Sequence, residues 1–331
     1  MTLARRLRDF DEDDVRVRPG RRGSRPRTRR RPAHEDAVTG FVTAVDRGRY
    51  RCLVEDRTVT AMRARELGRK SVVVGDHVAL VGDVSGDPDT LARIVRVQPR
   101  RSALRRTADD ADPFERVIVA NADQMVIVTA LADPPPRPRM IDRCLVAAYE
   151  AGLDPLLCLT KSDLAGPEEL LAIYAPLGVP YVVTQRGADL GELRKRLRGR
   201  LSVLVGHSGV GKSTLVNALV PGAGRAVGEV NAVTGRGRHV SSSAIAFELP
   251  EGGWIIDTPG VRSFGLAHVK PEDVVAAFPD LAEGVEHCPP HCNHLQEHCA
   301  LDEWVAEGHA ERARLDSLRR LLASRERSAE D

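Results

Sequence analysis

The sequence predicts a multidomain protein: an OB-type β-barrel, an α/β domain built around a phosphate-binding loop, and a mostly helical region carrying a Cys/His cluster. Three observations predict it. Five short apolar strand runs crowd residues 38–97. Strand runs then alternate with helical stretches over residues 115–265, the rhythm of a mostly parallel sheet covered on both faces. Residues 288–299 read C-P-P-H-C-N-H-L-Q-E-H-C. The expected divisions are a basic arm at 1–36, the barrel at 37–98, the α/β domain at 99–268 and the C-terminal region at 269–331.

The arm is set apart by charge. Residues 15–33 contain no acid, whereas Asp9, Asp11, Glu12, Asp13 and Asp14 form an opposite block before them. The net charge of +2 hides this asymmetry. Pro, Gly and like-charge repulsion predict a disordered arm. Its arginine density predicts RNA contact by counterion release. With 331 residues and 42% hydrophobic content, the rest can bury real cores. No apolar run approaches the ~20 residues of a membrane span. The first ten residues, M-T-L-A-R-R-L-R-D-F, lack the apolar stretch of a signal peptide. Six cysteines outside any small secreted framework fit a reducing compartment. The expectation is a cytoplasmic monomer with no membrane partner.

Barrel strands are expected at 38–45, 50–54, 59–64, 72–81 and 91–97, separated by Gly, Asp and Pro turns. Phe41 and Tyr50 are the barrel's only aromatics, so base stacking is at most a minor mode. Arg47, Arg49, Arg51, Arg63, Arg65, Arg69 and Lys70 favour phosphate contacts and shape recognition of folded RNA. Residues 99–114 read as a linker. Pro134-Pro135-Pro136 reads as a stiff surface loop without catalytic implication.

In the α/β domain, strands are expected at 117–119, 124–129, 156–160, 181–184, 201–205, 245–249 and 254–257, with helices at 140–151, 167–175 and 191–197. Gly206-His207-Ser208-Gly209-Val210-Gly211-Lys212-Ser213 matches G-x-x-x-x-G-K-[ST] in full. The apolar run 201–205 precedes it, and Thr214 opens a helix after it. Its glycines let backbone N–H groups curl around phosphate oxygens. Lys212 can reach the β- and γ-phosphates, and the Ser213 hydroxyl can ligate Mg²⁺. Asp257-Thr258-Pro259-Gly260 ends another apolar strand; Asp257 can hold Mg²⁺ through water, and Gly260 can offer its N–H to the γ-phosphate.

Thr160-Lys161-Ser162-Asp163 closes the strand run 156–160 and resembles the N/T-K-x-D element of GTPases. Asp163 can accept two hydrogen bonds from guanine N1–H and the N2 amino group. Adenine offers no such donor pair, so GTP is favoured over ATP. In ordinary GTPases this element lies C-terminal to the P-loop; here it lies N-terminal to it. The order is base motif, P-loop, switch I, switch II: a circular permutation.

That order, together with V-I-V-A-N-A-D-Q-M-V-I-V from Val117, I-D-R-C-L-V from Ile141, Val74-Gly75-Asp76-His77-Val78, G-R-G-R-H from Gly235 and the cluster at 288–299, resembles the ribosome small-subunit-dependent GTPase A family (RsgA, or YjeQ). The resemblance spans residues 37–325. It implies an N-terminal OB-fold, a central permuted GTPase and a C-terminal zinc domain. It also implies late maturation of the small ribosomal subunit, contact with its rRNA, and GTP hydrolysis stimulated by that subunit.

Residues 228–243 are the place for switch I, Gly- and Ser-rich enough to order around γ-phosphate and release. Where the family carries threonines after the His, this chain has Val240, Ser241, Ser242 and Ser243. Alignment with the family puts Ser241 at the Mg²⁺ ligand position, with Ser242 the neighbouring candidate. Ras-like proteins place a water-orienting Gln after D-x-x-G; here that position is Val261, which cannot hydrogen-bond. His239 is the candidate for positioning water, with an RNA-contacting role the alternative.

Cys288, Cys292, His294 and Cys299 offer three thiolates and an imidazole, suited to one structural tetrahedral zinc. The family spacing is C-x₄-C-x-H-x₅-C, and this chain is one residue shorter in both gaps. His287, His291 and His298 therefore remain alternative ligands. Residues 271–278 and 302–325 read as helices. Two rival functions remain open: a GTP-gated RNA-binding module with vestigial hydrolysis, and a P-loop kinase, against which Lys161 and Asp163 argue.

Overall fold

The computed structural model describes residues 34–68, 71–107, 115–224, 244–258, 264, 266, 269–296 and 299–326. The basic arm, apart from residues 34–36, lies outside them, as does the whole switch I stretch 228–243.

Alternating burial builds the barrel. Strands β1 (Val38–Asp46), β2 (Arg49–Val54), β3 (Arg57–Arg63), β4 (His77–Gly82) and β5 (Ala92–Val97) run in the order β1-β2-β3-β5-β4, and β4 pairs back to β1. That closure leaves the barrel without free edges. Val42, Tyr50, Cys52, Val59, Val78, Leu80 and Ile94 fill it. Its sequence-predicted strand at 72–81 is shorter than expected. The chain turns at Gly75, and only Val74 forms a bridge, to Val119.

That turn is the joint to the next domain. Gly75 sits at φ +92, and a Cβ there would stand 2.0 Å from the Ala120 carbonyl oxygen, so only glycine fits. Asp76 is fully buried and accepts hydrogen bonds from the Val73 amide at 2.8 Å and from Arg100 Nε and Nη2 at 2.7 and 2.8 Å. Asn121 donates from Nδ2 to the Gly75 carbonyl at 2.8 Å. The expected linker at 99–114 is partly structured instead. Strand β6 (Ala103–Thr107) pairs antiparallel with β7 (Glu115–Ala120), because Leu104 and Val119 on these strands are buried in the main core.

The α/β domain has strands β8 (Gln124–Ala130), β9 (Asp154–Thr160), β10 (Tyr181–Val183), β11 (Leu201–Val205), β12 (Ile245–Glu248) and β13 (Trp254–Asp257) in the order β10-β9-β8-β11-β13-β12. All neighbours pair parallel except β12 with β13. Neighbouring residues on β8 face opposite cores: Ile127 joins the layer of helix α1 (Pro138–Glu150), whereas Val126 and Val128 join that of α3 (Gly191–Leu197) and α4 (Lys212–Leu219). Helix α2 (Glu168–Tyr174) adds Leu170 and Tyr174 to the first layer.

The C-terminal region packs on that same layer. Helices α5 (Pro271–Val275), α6 (Pro279–Val285), α7 (Ala300–Ala306) and α8 (Arg312–Glu326) put Val274, Leu281, Leu301, Leu315, Leu318 and Leu322 into one core with Ile141 and Leu145 of α1. The single helix expected at 302–325 is two. Gly308 at φ +89 leaves the helical region and ends α7, and α8 starts afresh four residues on. The stretch read as one helix at 271–278 ends at Val275, and α6 begins at Pro279, in the first-turn position that proline tolerates. No helix among the described residues is long and apolar enough to cross a membrane.

Candidate functional site: a nucleotide loop and a metal cluster

The P-loop leaves β11 at Gly206, whose φ is +149 and whose added Cβ would lie 2.3 Å from the Val128 carbonyl oxygen. The loop thus hugs β8 and can be glycine alone at that step. Gly211, at φ +96, caps α4, so the first-turn N–H groups of that helix point into the loop. Lys212 Nζ donates to the carbonyls of Gly206 and His207, the latter at 3.0 Å. Ser213 and Thr214 follow, both half-buried, while Ser208 and Gly209 are exposed at the mouth. This is a cradle of N–H donors with one ammonium beside it, suited to a polyphosphate.

The base motif meets it from β9. Thr160 is buried, and its hydroxyl donates to the Val210 carbonyl at 2.6 Å. Lys161, at φ +59, donates from Nζ to the Asp133 carbonyl. Asp163 is exposed beyond it, free to accept from a planar base edge. From β13, Asp257 is 4% exposed and Thr258 donates to the Leu204 carbonyl at 2.7 Å. Asp257 pairs with Leu204 across β11, so the carboxylate sits beside the strand that feeds the P-loop. Gly260 and Val261, together with His239, Ser241 and Ser242, lie outside the described residues.

Sequence reasoning missed the loop after β8. Pro134 stands 3.4 Å from the Cβ position of Gly209, and Asp133 takes the Lys161 hydrogen bond. The Pro134–Pro136 stretch, expected as a stiff surface loop without catalytic implication, thus rests on the P-loop through Pro134, next to the Asp133 carbonyl that holds Lys161. A triple proline signals stiffness but not where the stiff segment rests. His207 was read only as a loop position. His207 is 5% exposed, and its Nδ1 lies 2.9 Å from the Ser208 carbonyl, which pairs with an N–H there; Nε2 is buried without a partner among the described residues. Burial holds this imidazole below its ordinary pKa; the Ser208 hydrogen bond opposes it, and the charges of Arg137, Lys212 and Lys161 add to the lowering.

In the C-terminal region, one ligand atom from each of Cys288, Cys292, His294 and Cys299 lies within 4.8 Å of the others. Cys288 Sγ is 3.5 Å from Cys299 Sγ and 3.6 Å from His294 Nδ1; Cys299 Sγ is 3.7 Å from Cys292 Sγ and from His294 Nδ1. A tetrahedral site with Zn–S of ~2.3 Å and Zn–N of ~2.0 Å has edges of about 3.5–3.8 Å. The donor set therefore fits a closed four-coordinate metal. His287 packs toward Trp304 at 5.7 Å, and neither it nor His291 joins the group. His298 lies outside the described residues. His294 sits at φ +60, and Arg319 fixes it by donating to its carbonyl at 3.0 Å while gripping both oxygens of Asp302 at 3.0 and 2.7 Å.

Comparison with known proteins agrees with this layout. The family model described as RsgA GTPase matches residues 97–267. A Pseudomonas aeruginosa protein named small ribosomal subunit biogenesis GTPase RsgA is 41% identical over 264 residues, covering 77% of this chain and 76% of that protein. Its namesake in Azotobacter vinelandii is 42% identical, covering 77% and 75%. The crystal structure of YjeQ from Thermotoga maritima superposes with a TM-score of 0.64 at 25% identity, over 87% of this chain and 98% of that one. YloQ, titled a circularly permuted GTPase, gives 0.62 at 24% identity, over 90% and 98%, a likeness of fold alone.

Proposed function

The chain belongs to the RsgA GTPase family, and from that premise we propose that it binds the small ribosomal subunit and hydrolyses GTP during the subunit's late maturation or quality control, stimulated by that subunit. One observation carries the nucleotide reading: Thr160 donates to Val210, tying the base motif to a P-loop that follows it in sequence. The permuted order thus gives an assembled site, not scattered motifs.

In this reading Thr160, Lys161 and Asp163 hold guanine. Gly206, His207, Ser208, Gly209, Val210, Gly211, Lys212, Ser213 and Thr214 hold the phosphates, and Gly260 senses the γ-phosphate. Ser213, Asp257 and Ser241 would hold Mg²⁺, which would supply positive charge against the phosphates. His239 accepts a proton from the attacking water, because Val261 cannot orient it. The Cys288–Cys292–His294–Cys299 cluster holds one structural zinc. The basic arm and the barrel arginines meet rRNA phosphates, and the protein works as a cytoplasmic monomer. The working divisions remain 1–36, 37–98, 99–268 and 269–331.

The test is GTP turnover with and without purified small subunits. Stimulation of at least ~10-fold is expected, well below the roughly 10³–10⁵ that partner-supplied groups reach in GTPases. Unchanged turnover favours the gated-module alternative. His239→Ala is expected to keep nucleotide binding and subunit docking while losing stimulated hydrolysis. Full turnover by that variant moves water positioning elsewhere.

A further inference from the structure

We propose that His207 is a proton-linked phosphate-binding residue: its imidazole takes up a proton as the phosphates of a guanine nucleotide enter the loop, so that nucleotide affinity rises as pH falls. The inference rests on the GTPase reading above and names a regulation of that same site.

His207 is the second residue of the loop and is 5% exposed. Its Nδ1 lies 2.9 Å from the Ser208 carbonyl, which can only accept, so Nδ1 carries the ring proton and Nε2 is the basic atom. Nε2 is buried without a partner among the described residues. A neutral ring leaves that acceptor unused, whereas a protonated ring places a charge inside the loop. The environment of the ring decides between the two.

Burial disfavours the charged ring first of all, and the Ser208 hydrogen bond opposes that. Cations on three elements then add to the effect of burial: Arg137 at the N-cap of α1, Lys212 opening α4, and Lys161 just after β9. Asp133, in the loop after β8, is exposed and turns its carbonyl to Lys161. In the nucleotide-free protein the neutral ring is therefore favoured. Phosphates reverse the sign. Lys212, the side chain read as reaching the β- and γ-phosphates, donates from Nζ to the carbonyl of His207 itself, at 3.0 Å. Negative charge brought to Lys212 is thus brought to His207 as well, and nearby opposite charge favours the charged form of the ring. The coupling is reciprocal: the factor by which the nucleotide raises proton affinity is the factor by which the proton raises nucleotide affinity. A ring that merely fills the core stays neutral in both states and takes up nothing.

The experiment uses the full-length protein as wild type, His207→Gln and His77→Gln, His77 being an exposed histidine of the barrel. Calorimetric titration with GDP at about pH 6.5, in buffers of differing ionisation enthalpy, reads the protons taken up. The terminal phosphate of GDP titrates at about pH 6 itself, so the readout is the difference between proteins. Wild type and His77→Gln should each take up at least ~0.3 proton more than His207→Gln, and their GDP affinity relative to His207→Gln should rise about threefold from about pH 8 to about pH 6. Equal uptake in wild type and His207→Gln overturns the proposal, and so does loss of the uptake in His77→Gln. A measurement on wild type alone covers the case in which glutamine disturbs the loop. In NMR spectra of protein with isotope-labelled histidine, a ring signal that titrates below the ordinary 6.5 should move to higher pH when GDP binds. If no such signal moves upward, the proposal fails. Tight GDP binding without proton uptake overturns this proposal alone, whereas failure to bind GDP at any pH overturns the nucleotide reading on which it rests.

Discussion

Ile245 and Asp257 lie directly opposite each other across β12 and β13, and Ile245 pairs on its other side with Ala44 of the barrel. Asp257 in turn pairs with Leu204 of the P-loop strand. A single lateral row therefore runs from the barrel to the strand that feeds the nucleotide loop. Phe41 of β1 reinforces it, its ring 5.1 Å from Trp254 on β13. The barrel is a continuation of the nucleotide-binding sheet.

The Asp76–Arg100 pair should hold that joint. Asp76→Ala leaves the Arg100 guanidinium, 23% exposed, without its carboxylate, and frees the Val73 amide. Removing one partner of a buried pair costs about 3–5 kcal/mol. Chemical denaturation should show a loss of that order, with the barrel's amide protons losing exchange protection first. A loss below about 1 kcal/mol would place the joint's strength in β1–β12 pairing instead.

Much of this was legible beforehand. The P-loop and its strands were readable because G-x-x-x-x-G-K-[ST] sits between a fully apolar run and a helix, a context that local chemistry dictates. The barrel strands were readable from alternation. What failed was tertiary. Residues 103–107 read as linker because Ala103-Leu104-Arg105-Arg106-Thr107 has one large apolar side chain, and its strand depends on partner β7. Asp76 fell inside the strand expected at 72–81, and nothing local announces its partner, an arginine 24 positions on. The Pro134 loop read as bland because its seat on Gly209 is made by a segment 75 residues later. The sequence named Cys288, Cys292, His294 and Cys299 with three other histidines as alternates, and the fold gathers those four, with His294 at φ +60.

Asp163 should select the base. Its carboxylate is exposed beyond the tethered Thr160 and Lys161, and two oxygens match two donors on the guanine edge. Asp163→Asn presents an amide donor to a donor. GTP affinity should drop by about 100-fold, as for loss of a charged bidentate pair of roughly 3 kcal/mol, while xanthosine triphosphate binds better than to wild type. Wild-type protein that binds ATP as tightly as GTP would refute the assignment.

His207 should give the protein a pH response. Burial and neighbouring cations lower its pKa from the ordinary 6.5. The folded state therefore disfavours the protonated ring that the unfolded chain accepts. Stability is unaffected well above 6.5 and is lost as pH falls below it, until the folded-state value is reached. His207→Gln should flatten the fall in melting temperature between about pH 7 and 5. Bound GDP should flatten it too, because its phosphates offset the positive charge. Identical pH profiles for His207→Gln and wild type would assign the acid response to other groups.

The metal cluster should be a folding element of the C-terminal region. Cys299 is 4% exposed and opens α7, and burial pushes its thiol up to about 12. A bound metal would be held by Cys288, Cys292, His294 and Cys299 at the spacing already present, adding its binding energy to the folding of this region. Metal analysis should find about one zinc per chain. Cys299→Ser, or a strong chelator, should expose α7 and the His294 turn to hydrogen exchange. It should also loosen α8, because Arg319 links His294 to Asp302 from that helix. The barrel and P-loop should keep their protection, since they share no ligand. A metal-free preparation with α7 and α8 fully protected would show that packing on α1 alone folds the region.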